Sequence, residues 1–108
     1  MHTPVFLTND AKRDLEELYE YIQTYDSPGK ADAVLTQIEQ ALSRLSDFPE
    51  RGNYPKELLA LGMRSHREIH LKAYRIIYKL DSGKVYVVLI VDGRRDMQSL
   101  LLRRLLEG

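Results

Sequence analysis

The sequence predicts an α+β fold: an N-terminal strand, an antiparallel helical hairpin packed on a small, mainly antiparallel sheet, and a short C-terminal helix. Three observations predict it. Apolar residues recur at helical spacing through the first half of the 108-residue chain. They switch to strand-like runs after Ser65, and they return to helical spacing after Gly93.

"PVFLT", Pro4 to Thr8, is a short apolar run that fits a first strand. In "NDAKRDLEELYEYIQTY", Leu15, Leu18, Tyr19, Ile22 and Tyr25 stand at helical spacing, and Thr8, Asn9 or Asp10 is available as N-cap. The second helix has the clearest signal: Ser27 as N-cap, Pro28 at a first helical position that needs no amide hydrogen, and a stripe of Ala31, Val34, Leu35, Ile38, Leu42 and Leu45. Pro49 follows its end. So short a link between the helices predicts an antiparallel hairpin with its acidic faces outward.

"PERGNYPKELLALGMRS" is rich in Pro and Gly and reads as a loop with a helical turn near Lys56 to Leu61. Three strands follow. "HREIHL" alternates, "YRIIYKL" is β-branched and aromatic, Asp81-Ser82-Gly83 is a turn, and "KVYVVLIVD" is apolar on both faces, as a central strand should be. The last helix carries Met97, Leu101 and Leu105 at helical spacing, with Asp96 as candidate N-cap. No repeat, low-complexity tract or linker interrupts the chain, so residues 1–108 read as one domain.

At 44% hydrophobic composition this length buries one modest core and no deep cofactor chamber, so any site should lie on an open surface. The absence of cysteine excludes disulfides and thiolate metal sites and suits a reducing compartment. "MHTPVFLTND" lacks the pattern of a secretory leader, and no apolar stretch approaches the roughly 18 residues of a membrane span. A cytoplasmic protein without membrane contact is expected.

The zero net charge hides a split. Residues 1–50 hold four Lys/Arg against ten Asp/Glu, a net −6, and residues 51–108 hold twelve against six, a net +6. The second half is thus suited to an anionic partner. The zero total argues against indiscriminate nucleic-acid binding, which depends on accumulated cationic contacts.

Three constellations follow. If Leu71 and Tyr74 bracket a two-residue turn, His70 lies opposite Arg75 and Glu68 opposite Ile77. Arg67, Ile69, Tyr74, Ile76, Tyr78 and Leu80 then face the helices, and His66, Glu68, His70, Arg75 and Lys79 share the other face. Lys72-Ala73 is a poor turn pair, and a slip of one residue would scatter the cluster. That polar face either supplies a histidine acid or base and an arginine for RNA cleavage, or is simply solvated. It holds no fourth ligand for a metal. The second constellation, Arg94, Arg95, Arg103 and Arg104, can grip a phosphate or carboxylate, or can serve helix-dipole and local ion-pair chemistry beside Asp92 and Asp96. The third is the leucine-rich last helix, which either presents apolar surface to a partner or tucks against the sheet.

The order of elements, with "PERGNYPKELLALGMR", "REIHLKAYRIIYKL" and "VVLIVDGRRDMQSLLLRRL", resembles the RelE/ParE superfamily of bacterial toxin-antitoxin systems, most closely its ParE branch, the plasmid stabilization proteins. The resemblance runs from about Ala11 to Leu106. It implies a growth-inhibiting toxin without a cofactor, held by a cognate ParD-like antitoxin as homodimer or hetero-oligomer, with Leu15, Tyr19, Ile22, Arg75, Leu101 and Leu105 as antitoxin contacts. ParE members act on DNA gyrase, whereas RelE members are ribosome-dependent mRNA endonucleases. Gyrase is the expected target, met by Arg94, Arg95, Met97, Arg103 and Arg104, with no catalytic residue. The alternative nuclease would use His70, Arg75 and Arg95 on ribosome-bound mRNA. The tyrosine of the RelE pattern is missing here, where the sequence reads Gln98-Ser99-Leu100-Leu101.

Overall fold

The computed structural model describes residues 2–107. Strand β1 (Val5–Leu7) leads into helix α1 (Asn9–Tyr25). Among the three candidate caps it is Thr8 that starts this helix, its hydroxyl accepting the Ala11 amide at 3.1 Å. Helix α2 (Pro28–Asp47) begins as its sequence demands, with the Ser27 hydroxyl accepting the Lys30 amide at 3.1 Å and Pro28 in the first turn. The single turn α3 (Lys56–Leu59) is shorter than the stretch expected to be helical.

Strands β2 (Arg67–Leu71), β3 (Tyr74–Asp81) and β4 (Lys84–Asp92) form a meander, and helix α4 (Met97–Glu107) closes the chain. The sheet order is β1-β4-β3-β2, antiparallel except where β1 runs beside β4. The expected hairpin register holds: His70 pairs with Arg75 and Glu68 with Ile77. Its unfavourable turn forms because Lys72 adopts a left-handed backbone, φ 55°. The Ser82-Gly83 turn also has positive φ at both residues, the twist that suits a two-residue hairpin loop.

Side-chain alternation sorts the sheet onto two apolar layers. The hairpin of α1 and α2 packs Ala11, Ile38, Ala41 and Leu45 on Ile69, Ile76, Tyr78, Val85, Val87 and Ile90. The opposite face is covered over its Ile77, Leu89 and Val91 region too, which differs from the exposed polar face expected for it. There Leu58 of α3 and Met97, Leu100 and Leu101 of α4 pack on Ile77, Leu89 and Val91. A register shift between Ile77 and Tyr78 lets β4 carry an extra residue, so that Val88 and Leu89 both serve the second layer.

The Pro-Glu-Arg-Gly loop is tied to the sheet through Tyr78. Its hydroxyl donates to the Pro49 carbonyl at 2.8 Å and accepts the Gly52 amide at 3.0 Å. Only glycine fits at that loop position, since a Cβ on Gly52 would lie 2.6 Å from the Glu68 carbonyl oxygen and 2.6 Å from the Tyr78 hydroxyl.

Candidate functional site

The hairpin register brings Glu68, His70 and Arg75 together, and α3 adds Glu57. Arg75 donates through Nε to Glu68 at 2.6 Å and through both terminal nitrogens to Glu57 at 2.8 Å each. Its side chain is 7% exposed, so the guanidinium is enclosed by two carboxylates and not offered to a ligand. Hydrogen bonding to Glu57, then to Glu68, pushes the Arg75 pKa up, and the same contact with Arg75 holds the Glu57 carboxyl below its usual range. Gly93 packs directly on this arginine, where a Cβ would meet Arg75 Cδ at 2.7 Å. His70 is exposed, with Nε2 3.2 Å from Glu68. His66 is instead buried just before β2, its pKa lowered by desolvation and then by the Lys79 charge.

A second cluster forms where β1 stops. Thr8 donates its amide to Val87, and beyond that point β4 has no strand neighbour on this side. Two side chains stand in for one. Asp14 of α1 accepts the Ile90 amide at 3.0 Å, and Arg104 of α4 donates to the Val88 carbonyl at 2.7 Å. The two also form a paired ion bridge of 2.8 and 2.9 Å. The charge split along the sequence is therefore partly neutralised inside the fold. Arg104, expected to meet a target, is half-buried and committed to Asp14, whose hydrogen bond is the main cause of its raised pKa.

The remaining arginines border an open groove between α1 and the end of β4. Its volume is about 690 Å³, and it is lined by Leu18, Tyr21, Tyr25, Tyr74, Arg94 and Arg95, among others. A smaller recess of about 320 Å³ continues it past Arg95 to Arg103 and Arg13. Arg94 folds back on Asp92, 3.0 Å from Nε to carboxylate, and that bond holds the Asp92 carboxyl below its usual range. Arg95 and Arg103 are exposed and form no ion pair among the described residues. Asp96 caps α4 by accepting the Ser99 amide at 3.3 Å.

Several expected contact residues lie elsewhere. Met97 is only 4% exposed and Leu101 is fully buried, both in the second layer, so neither presents a side chain to a partner. Leu15 and Tyr19 turn toward α2 inside the hairpin, with the Tyr19 hydroxyl donating to Asp32 at 2.6 Å, and Ile22 lies between this interior and the groove, whose lining it joins. Leu105 is half-buried at the rim of the second layer. The groove residues not anticipated are Tyr21, Tyr25 and Tyr74, since the spacing of Tyr25 places it on the apolar stripe of the first helix. Tyr21 and Tyr25, one turn apart on α1, have ring centroids 4.8 Å apart and are 63% and 75% exposed. Their spacing of four was a readable signal of a shared outer face.

No group of residues suited to hold a metal occurs among the described residues, and none of their helices is long and apolar enough to cross a membrane.

A helical hairpin on a four-stranded sheet, its second face partly covered by a terminal helix, is the fold of the RelE/ParE class of toxins. A chain of the chromosomal ParDE TA system from P. aeruginosa superimposes with a TM-score of 0.70 at 16% identity, over 84% of this chain and 96% of that one. A chain of the RelBE2 toxin-antitoxin complex from Mycobacterium tuberculosis gives 0.58 at 23% identity, over 85% and 92%. Residues 5–97 match the family described as the ParE toxin of type II toxin-antitoxin systems, parDE. Toxin ParE3 of Caulobacter vibrioides is 28% identical over 97 residues, which is 90% of this chain and 93% of that toxin. The chain belongs to the ParE toxin family.

Proposed function

We propose that this ParE-family toxin arrests growth by inhibiting DNA gyrase and is neutralised by a cognate, ParD-like antitoxin. The observation that carries the choice of target is the state of Arg75. A ribonuclease of this fold would need the strand arginine free to meet a phosphate, and here two carboxylates enclose it. Of this cluster His70 is the exposed member, its Nε2 3.2 Å from Glu68. Family membership weighs in the same direction.

The surface assigned to the target is cationic and aromatic: Arg95 and Arg103 with Arg94 beside them, continuous with Tyr21, Tyr25 and Tyr74. An acidic antitoxin segment laid along this groove would cover those arginines and so mask the target surface. In this assignment the arginines bind and break no bond.

The test is growth inhibition on induction without antitoxin. Arg94→Ala with Arg95→Ala should abolish it while leaving the thermal melt within a few degrees of the parent, and His70→Ala should leave it intact. A double variant that remains fully toxic removes the arginine surface as the target site, and a His70→Ala variant that is harmless replaces this reading with ribosome-dependent RNA cleavage.

A further inference from the structure

The second face of the sheet is only partly covered. Helices α3 and α4 lie over its Ile77, Leu89 and Val91 region. Toward the Ser82-Gly83 turn the same face carries Phe6 on β1, Tyr86 on β4 and Lys79 on β3. Phe6 pairs with Tyr86 and Tyr86 with Lys79, so three side chains stand in one row across three strands. The two rings are nearly parallel, with centroids 5.7 Å apart and an angle of 25°. Phe6 is 46% exposed, although Val5 and Leu7 beside it both pack into the first layer.

The row opens beside a recess of about 250 Å³ whose lining includes Lys79, His66, Val88, Met63 and Leu105. Its acidic wall is already occupied, because Asp10 lies against Arg13 and Arg104. Lys84 shares the face but stands opposite Asp81 in the strand register. Lys79 is half-buried, forms no ion pair among the described residues and lines the recess beside His66. An aromatic pair thus ends in an uncommitted ammonium at the mouth of a shallow cavity.

We propose that this row binds single-stranded nucleic acid, one base resting on Phe6 and Tyr86 and an adjoining phosphate on Lys79. A planar base suits a surface one aromatic pair wide, and stacking on a π-face needs one cation beside it and not the accumulated cationic contacts that the zero net charge argues against. A duplex keeps its bases stacked inside and cannot use the rings. The apolar patch is small and bounded by charge, which fits a nucleotide better than a buried protein anchor. This site is separate from the arginine groove and does not depend on gyrase being the target.

The test is fluorescence anisotropy of the purified full-length chain with a labelled twelve-nucleotide oligo-dT and a duplex of equal length, at several salt concentrations. The oligo-dT should bind at physiological salt with Kd between about 10⁻⁶ and 10⁻⁴ M, the usual span for binding without sequence preference. The duplex should bind at least about fivefold more weakly. Tyr86→Leu should weaken oligo-dT binding roughly five- to 150-fold, the loss expected for one stacked base, and Lys79→Gln should lower the salt slope by about 0.7. Phe6→Ser, at an exposed position, gives the same reading should Tyr86→Leu fail to fold. No binding by 10⁻⁴ M, duplex binding of equal strength, or unchanged affinity in the folded variants overturns the proposal. So does loss of toxicity in these variants without any oligonucleotide binding, which would make the row a protein-docking surface.

Discussion

Replacing Arg104 with alanine removes three contacts at once: both bonds to Asp14, 2.8 and 2.9 Å, and the 2.7 Å bond to the Val88 carbonyl. The side chains are 18% and 10% exposed, so the pair is largely withdrawn from water. Removing one partner of a buried ion pair costs about 3–5 kcal/mol. Asp14 retains the Ile90 amide, and water can enter at the open sheet edge, so about 3 kcal/mol is expected here. For a domain near this size each kcal/mol moves Tm by roughly 4 °C or more, a fall of about 12 °C. In urea, with a slope near 1.5 kcal/mol/M, the midpoint should drop by about 2 M with the slope unchanged. Asp14→Asn should lose less when added to Arg104→Ala than alone, with a coupling of at least ~1 kcal/mol. Arg103→Ala, one residue away and exposed, should stay within about 0.5 kcal/mol of the parent. An Arg104→Ala loss of that same small size would refute the reasoning and return the pair to the class of weak surface bridges.

Two further outcomes follow from the loop and from β2. Gly52→Ala should cost about 2 kcal/mol or more in thermal or urea unfolding, because its Cβ would sit 2.6 Å from the Glu68 carbonyl and from the Tyr78 hydroxyl; a loss below about 0.5 kcal/mol would mean that the loop yields freely. Burial, then the Lys79 charge, pushes the His66 pKa down in the folded state. The unfolded chain therefore takes up this proton first, so stability is full above about pH 6.5 and falls as pH drops toward the lower folded pKa. His66→Gln should flatten the part of the urea-stability profile just below pH 6.5, and an unchanged slope would show that His66 does not carry it.

How much was legible can be followed residue by residue. Ser27 and Pro28 act within their own helix turn, so local chemistry was enough for them, whereas the His70–Arg75 pairing stayed conditional on a poor turn pair and rests on the left-handed backbone of Lys72. Residues that meet across the fold were not readable in this way. Asp14 and Arg104 are 90 positions apart and combine only because β1 stops at Leu7 and leaves amide and carbonyl groups of β4 to be satisfied. Arg75 looked available because a strand's alternation shows which face it is on but not what covers that face. Glu57 and Gly93, on a loop turn and a strand end, do the covering. The leucines of α4 divided between the alternatives: Leu100 and Leu101 are buried in the second layer, whereas Leu106 is 84% exposed.

The central claim, that the cationic end of β4 and α4 serves a gyrase target while the strand arginine is structural, is tested most directly on gyrase itself. Purified protein, free of any partner, is mixed with gyrase, plasmid and ATP, and supercoiling is scored together with linear DNA trapped after denaturation. Lost supercoiling and accumulated linear DNA are expected, both absent with the Arg94→Ala and Arg95→Ala variant. Gyrase left untouched by folded protein that cleaves mRNA on programmed ribosomes would contradict that claim.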